Sequence, residues 1–259
     1  MINLIGVAGL VVFIYMVIFY LVAQAVKNNS IVDIGWGPGF LILTFSLLLY
    51  SGSDNIFSYI LLALVSSWAI RLSLHIYLRN RKKPEDFRYA NWRKAWGKKQ
   101  PWIAFYKIFM LQGAAMVVIA LPLISFFGTE TEGFEWNRYA GSALFLFGLI
   151  FESVGDYQLM IFKKKPENKG KIIRTGLWKF TRHPNYFGEA VVWWGIWLIC
   201  LDNNIFAYLS ILSPLTVTFL LRFGSGVPML EEKYKNHRDF QEYAKRTPVF
   251  VPFIGRKRY

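Results

Sequence analysis

Arg174-Thr-Gly-Leu-Trp-Lys-Phe-Thr-Arg-His-Pro-Asn-Tyr-Phe-Gly-Glu-Ala-Val-Val-Trp-Trp-Gly-Ile-Trp197 runs a basic, turn-rich loop straight into sequence apolar enough for a lipid bilayer. Pro184 suits the first turn of a helix, where its missing N–H costs nothing. Asn185 and Glu189 then fall four residues apart on one face of that helix. Arg182 and His183 stand at its positive end, where open amides and cationic side chains suit a phosphate or carboxylate. Anchoring to lipid headgroups would account for Arg182 and His183, but for neither Asn185 nor Glu189. An acid one turn into an apolar helix is costly unless it meets a partner or a polar cavity, so Glu189 points to a functional site.

The rest of the chain is of the same character. Of its 259 residues 54% are hydrophobic and only 18% charged, a membrane-protein composition. Apolar runs near the roughly 20 residues a helix needs to cross a bilayer predict spans at about 3–26, 31–50, 56–78, 103–127, 138–162, 185–201 and 204–222. The first run, from Leu4 to Val26, is too long for a signal-peptide core and lacks a preceding basic segment, so it reads as a span. The expected fold is an all-α integral membrane protein with seven transmembrane helices.

Charge sets the orientation. The net charge of +14 comes from connections between apolar runs, which fits loops against anionic lipid better than a nucleic-acid groove. No nucleic-acid partner is expected. Arg79, Arg81, Lys82, Lys83, Arg88, Arg93, Lys94, Lys98 and Lys99 crowd one connection, and Lys163, Lys164, Lys165, Lys169, Lys171, Arg174, Lys179 and Arg182 another. The alternate connections hold Asp54, then Glu130, Glu132 and Glu135, then Asp202. The positive-inside rule therefore predicts an outside N-terminus and a cytoplasmic basic tail from Lys233 to Arg258. Cys200 is the single cysteine, and His75, His183 and His237 share no zinc-type spacing. No metal is expected.

Polar residues within the spans give the candidate chemistry. Asp33 opens the second span beside Gly35, Gly37, Pro38 and Gly39, which loosen the helix. It reads either as a cap for a distorted helix start or as a carboxyl in an apolar pocket, fit to donate a proton. Arg71, His75 and Arg79 form an i, i+4 stripe down the third span, with Tyr77 alongside. Snorkelling explains Arg79 better than the deeper Arg71. The basic, aromatic loop that follows, with Asp86, Arg88, Tyr89, Trp92 and Trp96, reads as a membrane-surface contact. Glu152 and Asp156 pair four residues apart near the end of the fifth span, one helix before Asn185 and Glu189. Acceptors for ribose or amide groups beside Arg174, Arg182 and His183 describe a nucleotide site better than a pore. Past Arg222, Gly224, Gly226 and Pro228 break the helix, and Glu231, Glu232, Tyr234, His237 and Tyr243 fall in a tail that suits a lid or an interfacial helix.

Arg-His-Pro-Asn-Tyr-Phe-Gly-Glu before a tryptophan-rich helix, Glu-Ser-Val-Gly-Asp-Tyr upstream, and the Glu-Glu…Tyr…Arg-Thr-Pro…Pro-Phe tail together resemble the steroid 5-alpha-reductase superfamily. The bacterial multispanning branch is the nearest likeness, and isoprenylcysteine methyltransferases share an Arg-His-Pro-x-Tyr-x-Gly element. The resemblance implies NADPH held on the cytoplasmic side and reduction of a conjugated enone, such as a 3-oxo-4-ene steroid, that enters from the bilayer. By position it assigns Asn185, Glu189 and Asp156 to the nicotinamide end, with Glu152 beside them, and Arg174, Arg182 and His183 to the phosphates. Tyr186, Glu232 and Tyr243 complete the implied cofactor set. Asp33, with Tyr77 or His75, is assigned to the substrate ketone. The implied organisation is one monomeric membrane domain over residues 1–259 in a bacterial inner membrane, with 1–127 mainly lining the substrate cavity and 128–259 supplying the cofactor loop and tail. The rivals are a membrane methyltransferase using S-adenosylmethionine and a non-enzymatic lipid-binding or transport protein.

Overall fold

A computed structural model describes residues 1–129 and 135–254, so Glu130, Glu132 and Arg258 lie outside the described residues. Every regular element among the described residues is helical, and the chain forms two compact units. Among the described residues, six helices or near-continuous helical runs are long and apolar enough to cross a membrane. The architecture is that of an all-α, multi-pass integral membrane protein.

The first unit takes the described part of Met1–Phe134 together with Cys200–Ser210. It contains α1 (Ile2–Ala25), α2 (Ile31–Ser51), α3 (Ile56–Asn80), α4 (Phe87–Trp96), α5 (Gln100–Ala104), α6 (Leu111–Ile119) and α7 (Leu121–Phe127), with a π-helical turn at Phe105–Met110 joining α5 to α6. α1 is apolar on every side, yet only Leu4, Ala8, Val12, Tyr15, Met16 and Ala23 are buried. Ile5, Leu10, Phe13, Ile14, Ile18 and Leu21 remain exposed on the protein surface, as side chains facing lipid do.

The glycine-rich start of α2 does not loosen the helix, which runs unbroken through Pro38. Proline cannot donate to the carbonyl four residues back, here that of Ile34. Ser73 Oγ on α3 donates to that carbonyl instead, at 3.0 Å, so the freed backbone group is satisfied inside the membrane. Gly37 makes the approach possible, since a Cβ there would stand 2.3 Å from both the Ala69 carbonyl oxygen and Ser73 Oγ.

The second unit takes Glu135–Ile199 and Ile211–Tyr259, of which 255–259 are not described. α8 (Glu135–Lys164) and α9 (Pro184–Ile199) pack along most of their length. Gly141, Gly148 and Gly155 recur every seven residues on α8, as Gly188 and Gly195 do on α9. A Cβ on Gly148 would lie 2.7 Å from the Gly188 carbonyl oxygen and from Val192 N, and one on Gly195 would lie 2.6 Å from Phe145 N. The helices therefore meet backbone to backbone in antiparallel register, by the close packing that drives association where lipid offers no hydrophobic gain. Asn137 Nδ2 closes one end of the seam on the Leu198 carbonyl at 2.8 Å.

α9 is the shortest of the expected spans. Its 16 residues reach about 24 Å, under the length of the other six. The seventh expected span begins with α10 (Ile205–Leu209), which belongs to the first unit, and continues as α11 (Leu212–Arg222) in the second. Beyond it α12 (Val227–Glu232) and α13 (Arg238–Arg246) form the tail. Val227 and Phe250 close a small apolar core on Ala190 of α9, flanked by Tyr186, Phe187, Leu221 and Val249.

The seam makes a sharp prediction. Gly148→Ala should lower the thermal midpoint of the detergent-solubilised protein, by an amount worth about 1–3 kcal/mol, because the new methyl meets backbone that cannot yield. Gly6→Ala, with nothing within 4 Å of its Cβ position, should be neutral or stabilising, since alanine favours a helix. Equal midpoints for the two variants would contradict the seam.

Candidate functional site

The seam fixes which polar groups meet in the second unit. Asp156 lies one residue beyond Gly155, and Asn185 one residue inside α9. A Cβ on Gly155 would stand 3.1 Å from Asn185 N. Asn185 Nδ2 consequently donates to Asp156 Oδ1 at 3.0 Å. Glu152, one turn earlier, is 2% exposed, and its backbone N lies 2.5 Å from the Cβ position of Gly188. Glu189 follows Asn185 by one turn and is half-buried. Three carboxylates and an amide are thereby held on paired helices, a set rich in acceptors and suited to a ligand's amide or hydroxyl donors.

The loop before α9 is tied to the tail. Gly176, at a φ of 62°, turns the chain so that Leu177 N donates to Gln158 Oε1 at 2.9 Å and Trp178 Nε1 donates to the Gly155 carbonyl at 3.1 Å. Arg182 then grips the tail. Its Nε and Nη2 donate to the two oxygens of Glu231 at 2.9 and 3.1 Å, and Nη1 donates to the carbonyls of Ala244 and Thr247 at 3.0 Å each. The forked guanidinium suits this bidentate arrangement. His183 Nε2 bonds to the same Glu231 oxygen at 2.8 Å, and its ring stacks on Tyr186 with centroids 5.7 Å apart. Thr181 Oγ1 donates to the Phe250 carbonyl at 2.7 Å, and the buried Tyr243 hydroxyl donates to the Trp178 carbonyl. Burial raises the Tyr243 phenol above its ordinary range, so it stays a hydroxyl.

These contacts place the expected cofactor residues in two groups. Glu152, Asp156, Asn185 and Glu189 share the α8–α9 pair. Arg182, His183, Tyr186 and Tyr243 build the junction between loop and tail. Arg174 stands at the outer edge, where its Nη2 donates to the Asp239 carbonyl at 2.6 Å. Glu232 is exposed and pairs with Lys235 at 3.4 Å, so its neighbour Glu231 is the tail acid that meets the motif loop.

A second cluster lies in the first unit. Asp33 accepts from Tyr89 Oη at 2.6 Å through Oδ1 and from Arg88 Nη2 at 3.1 Å through Oδ2. Tyr89 is 4% exposed on α4, a helix that fills the connection read from sequence as a membrane-surface loop. Asp86 starts α4 by accepting from Arg88 N at 3.0 Å and also holds Arg88 Nε at 2.9 Å. Glu85 makes a two-point contact with Arg93, at 2.9 and 3.0 Å, and accepts from Asn29 N at 2.6 Å. These bonds hold α4 against the start of α2. Trp36 Nε1 donates to Gln112 Oε1 at 2.7 Å, and Gln112 Nε2 reaches Tyr89 Oη at 3.5 Å. The hydroxyl brought to Asp33 is thus that of Tyr89, while Tyr77 is 49% exposed on α3 and His75 is half-buried two residues before it. The sequence signal for Tyr89 was its place three residues after a helix-capping Asp86, where a short helix turns one face inward.

An all-α, multi-pass membrane protein with an acid–amide pair on glycine-packed helices and a tyrosine–aspartate couple defines the class. Residues 19–247 match a family described as "Protein of unknown function (DUF1295)". The chain belongs to this family and, with it, to the steroid 5-alpha-reductase superfamily. It is 26% identical over 165 residues to 3-oxo-5-alpha-steroid 4-dehydrogenase 1 of Bos taurus and 29% identical over 165 residues to that of Rattus norvegicus, covering 56% of this chain and 60% of the relative in both cases. It is also 30% identical over 101 residues to the Protein-S-isoprenylcysteine O-methyltransferase of Saccharomyces cerevisiae, covering 36% of this chain and 38% of that one. The match thus spans about 60% of the length of those steroid dehydrogenases. No solved structure matches the chain.

The junction of loop and tail gives a pH prediction. Burial holds His183 below the ordinary imidazole range, although Glu231 opposes the shift. The unfolded chain then takes up its proton first, so the contribution of neutral His183 to stability is full above about pH 6.5 and is lost as pH falls through its folded value. The thermal midpoint should fall between about pH 7.5 and about pH 5, and His183→Asn should flatten that decline. An unchanged slope in the variant would show that His183 is not the titrating group.

Proposed function

We propose that the chain is an NADPH-dependent reductase of the conjugated C=C bond in a hydrophobic enone, such as a 3-oxo-4-ene steroid or a related lipid. The observation that carries this reading is the Tyr89 hydroxyl on Asp33, with Arg88 on the other carboxylate oxygen. Addition of hydride to the carbon beta to a carbonyl moves negative charge onto the carbonyl oxygen. A positioned hydroxyl that donates to that oxygen lowers the barrier. Tyr89 is that donor once its single O–H turns from Asp33 Oδ1 to the substrate oxygen, while Gln112 Nε2 stays on the phenol oxygen and Arg88 keeps Asp33 in place. Protonation of the alpha carbon then completes the reduction.

The donor set of the second unit fits the cofactor. NADPH, when bound, supplies the hydride. Asp156, Asn185 and Glu189 would take its carboxamide and ribose, whose N–H and O–H groups match the acceptors held there. Arg174, exposed beside α13, would take a phosphate. Arg182 and His183 would act by keeping the loop and tail joined, since their donors are committed to Glu231 and to tail carbonyls. The resemblance of the motif loop and tail to the superfamily, and the similarity to two steroid dehydrogenases, support the same assignment.

The orientation proposed with it has seven spans, α9 being the shortest, an outside N-terminus and a cytoplasmic tail and cofactor loop. The membrane is proposed to be a bacterial inner membrane. A second reading, methyl transfer from S-adenosylmethionine, is supported by the similarity to the yeast methyltransferase and by the contact of Arg182 with Glu231.

A cofactor bound only by the native state raises the thermal midpoint. NADPH should stabilise the detergent-purified protein and Glu189→Ala should remove the effect. Stabilisation by S-adenosylmethionine alone would transfer the assignment to methyl transfer, and a response to neither would favour lipid binding. With testosterone as probe, Tyr89→Phe should slow NADPH oxidation by about 10²–10⁴-fold and keep its NADPH-dependent stabilisation. Undiminished turnover in that variant would remove Tyr89 from the mechanism.

A further inference from the structure

α8 has a second built face. Past Lys164 the chain turns through a short 3₁₀ segment, Pro166–Asn168, and through Gly170 at a φ of 79°, then runs back along the helix. Between the helix end and the returning segment lies a cleft of about 290 Å³. Ile161, Phe162 and the 6%-exposed Ile173 give it apolar walls, and Lys165, Asn168 and Thr175 give it polar ones. The walls are fixed: Asn168 Nδ2 donates to the Phe162 carbonyl at 2.9 Å, and Lys171 N donates to the Asn168 carbonyl at 3.0 Å.

This cleft is separate from the Asp156–Asn185 site. Ile161 and Phe162 lie five and six residues beyond Asp156, which at 100° per residue puts them about 140° and 120° around the helix, on its opposite side. Asp156 faces α9, and the cleft faces away from it.

We propose that the cleft binds the headgroup of an anionic phospholipid. Its location is the end of a membrane span, where apolar walls give way to polar ones over a single helical turn. Charge complements that ligand: between Lys163 and Arg174 six cations stand against one acid, Glu167. Basic segments beside a span attract anionic lipid in this way. The volume is at the lower end for small-molecule pockets, which suits a phosphoglycerol headgroup with the start of its acyl chains on Ile161 and Phe162. The Lys165 ammonium and the Thr175 hydroxyl are the donors for the phosphodiester.

The test uses the full chain in an uncharged detergent, with phosphatidylglycerol, phosphatidylcholine or inorganic phosphate added, read by native mass spectrometry and by thermal midpoint. Phosphatidylglycerol should be retained and should stabilise, and the other two should not. Lys165→Gln should weaken retention about ten-fold or more, the loss of one charge-assisted hydrogen bond to the phosphodiester, and Thr175→Val should weaken it as well. Lys169→Gln, on the same segment but outside the cleft walls, should keep it. Equal retention of both lipids, or equal weakening by Lys165→Gln and Lys169→Gln, would overturn the site. Equal stabilisation by inorganic phosphate would assign the cleft to a free phosphate instead.

Discussion

The second unit depends on backbone-to-backbone contact between α8 and α9. Inside a bilayer the hydrophobic effect does not draw helices together, so close packing and polar contacts must do it. Glycine every seven residues on both helices allows the approach, and the period matches the 3.5-residue repeat of a left-handed helix pair. Once those glycines meet, the side chains beside them have no choice of neighbour. Asp156 must face Asn185 because Gly155 faces Asn185 N. The polar pair is a consequence of the packing register.

The first unit meets a different constraint, the cost of unsatisfied polar groups in lipid. Pro38 frees a carbonyl, and a serine from α3 takes it. Asp33 is placed in the first turn of α2, and α4 supplies both a hydroxyl and a guanidinium to it. Each potentially costly group has become the point at which one helix is attached to another. The same wiring that makes Asp33 tolerable also fixes the Tyr89 hydroxyl against it.

The helical, membrane-spanning character of the chain was legible from hydropathy alone, because runs of about 20 apolar residues have few other uses. The i, i+4 spacings showed that Glu152 with Asp156, and Asn185 with Glu189, share helix faces. The partners of Arg182 were not legible. They stand about 50 to 65 residues further on, in a tail whose fold is set by tertiary contact. Tyr89 was hidden for a related reason: a basic, tryptophan-rich segment has the composition of an interface loop, and only the capped helix turns this one hydroxyl inward. α2 shows the reverse error, because three glycines and a proline read as a loosened helix when each is judged by propensity, while Ser73 and the close approach of α3 keep the helix whole.

The grip of Arg182 on the tail also dictates an order of events during synthesis. The partners of the Thr181–His183 segment are Glu231, Ala244, Thr247, Pro248 and Phe250. All of them follow α9 in the chain, by about 30 to 50 residues. The glycine seam can close as soon as α9 has entered the bilayer, but the loop before it must wait for anchors about 50 to 70 residues further on, roughly 2.5 to 14 s at ordinary elongation rates. Until then the pre-α9 loop is a basic segment without its carboxylate, and the nascent chain carries a finished helix pair under an unfinished cap.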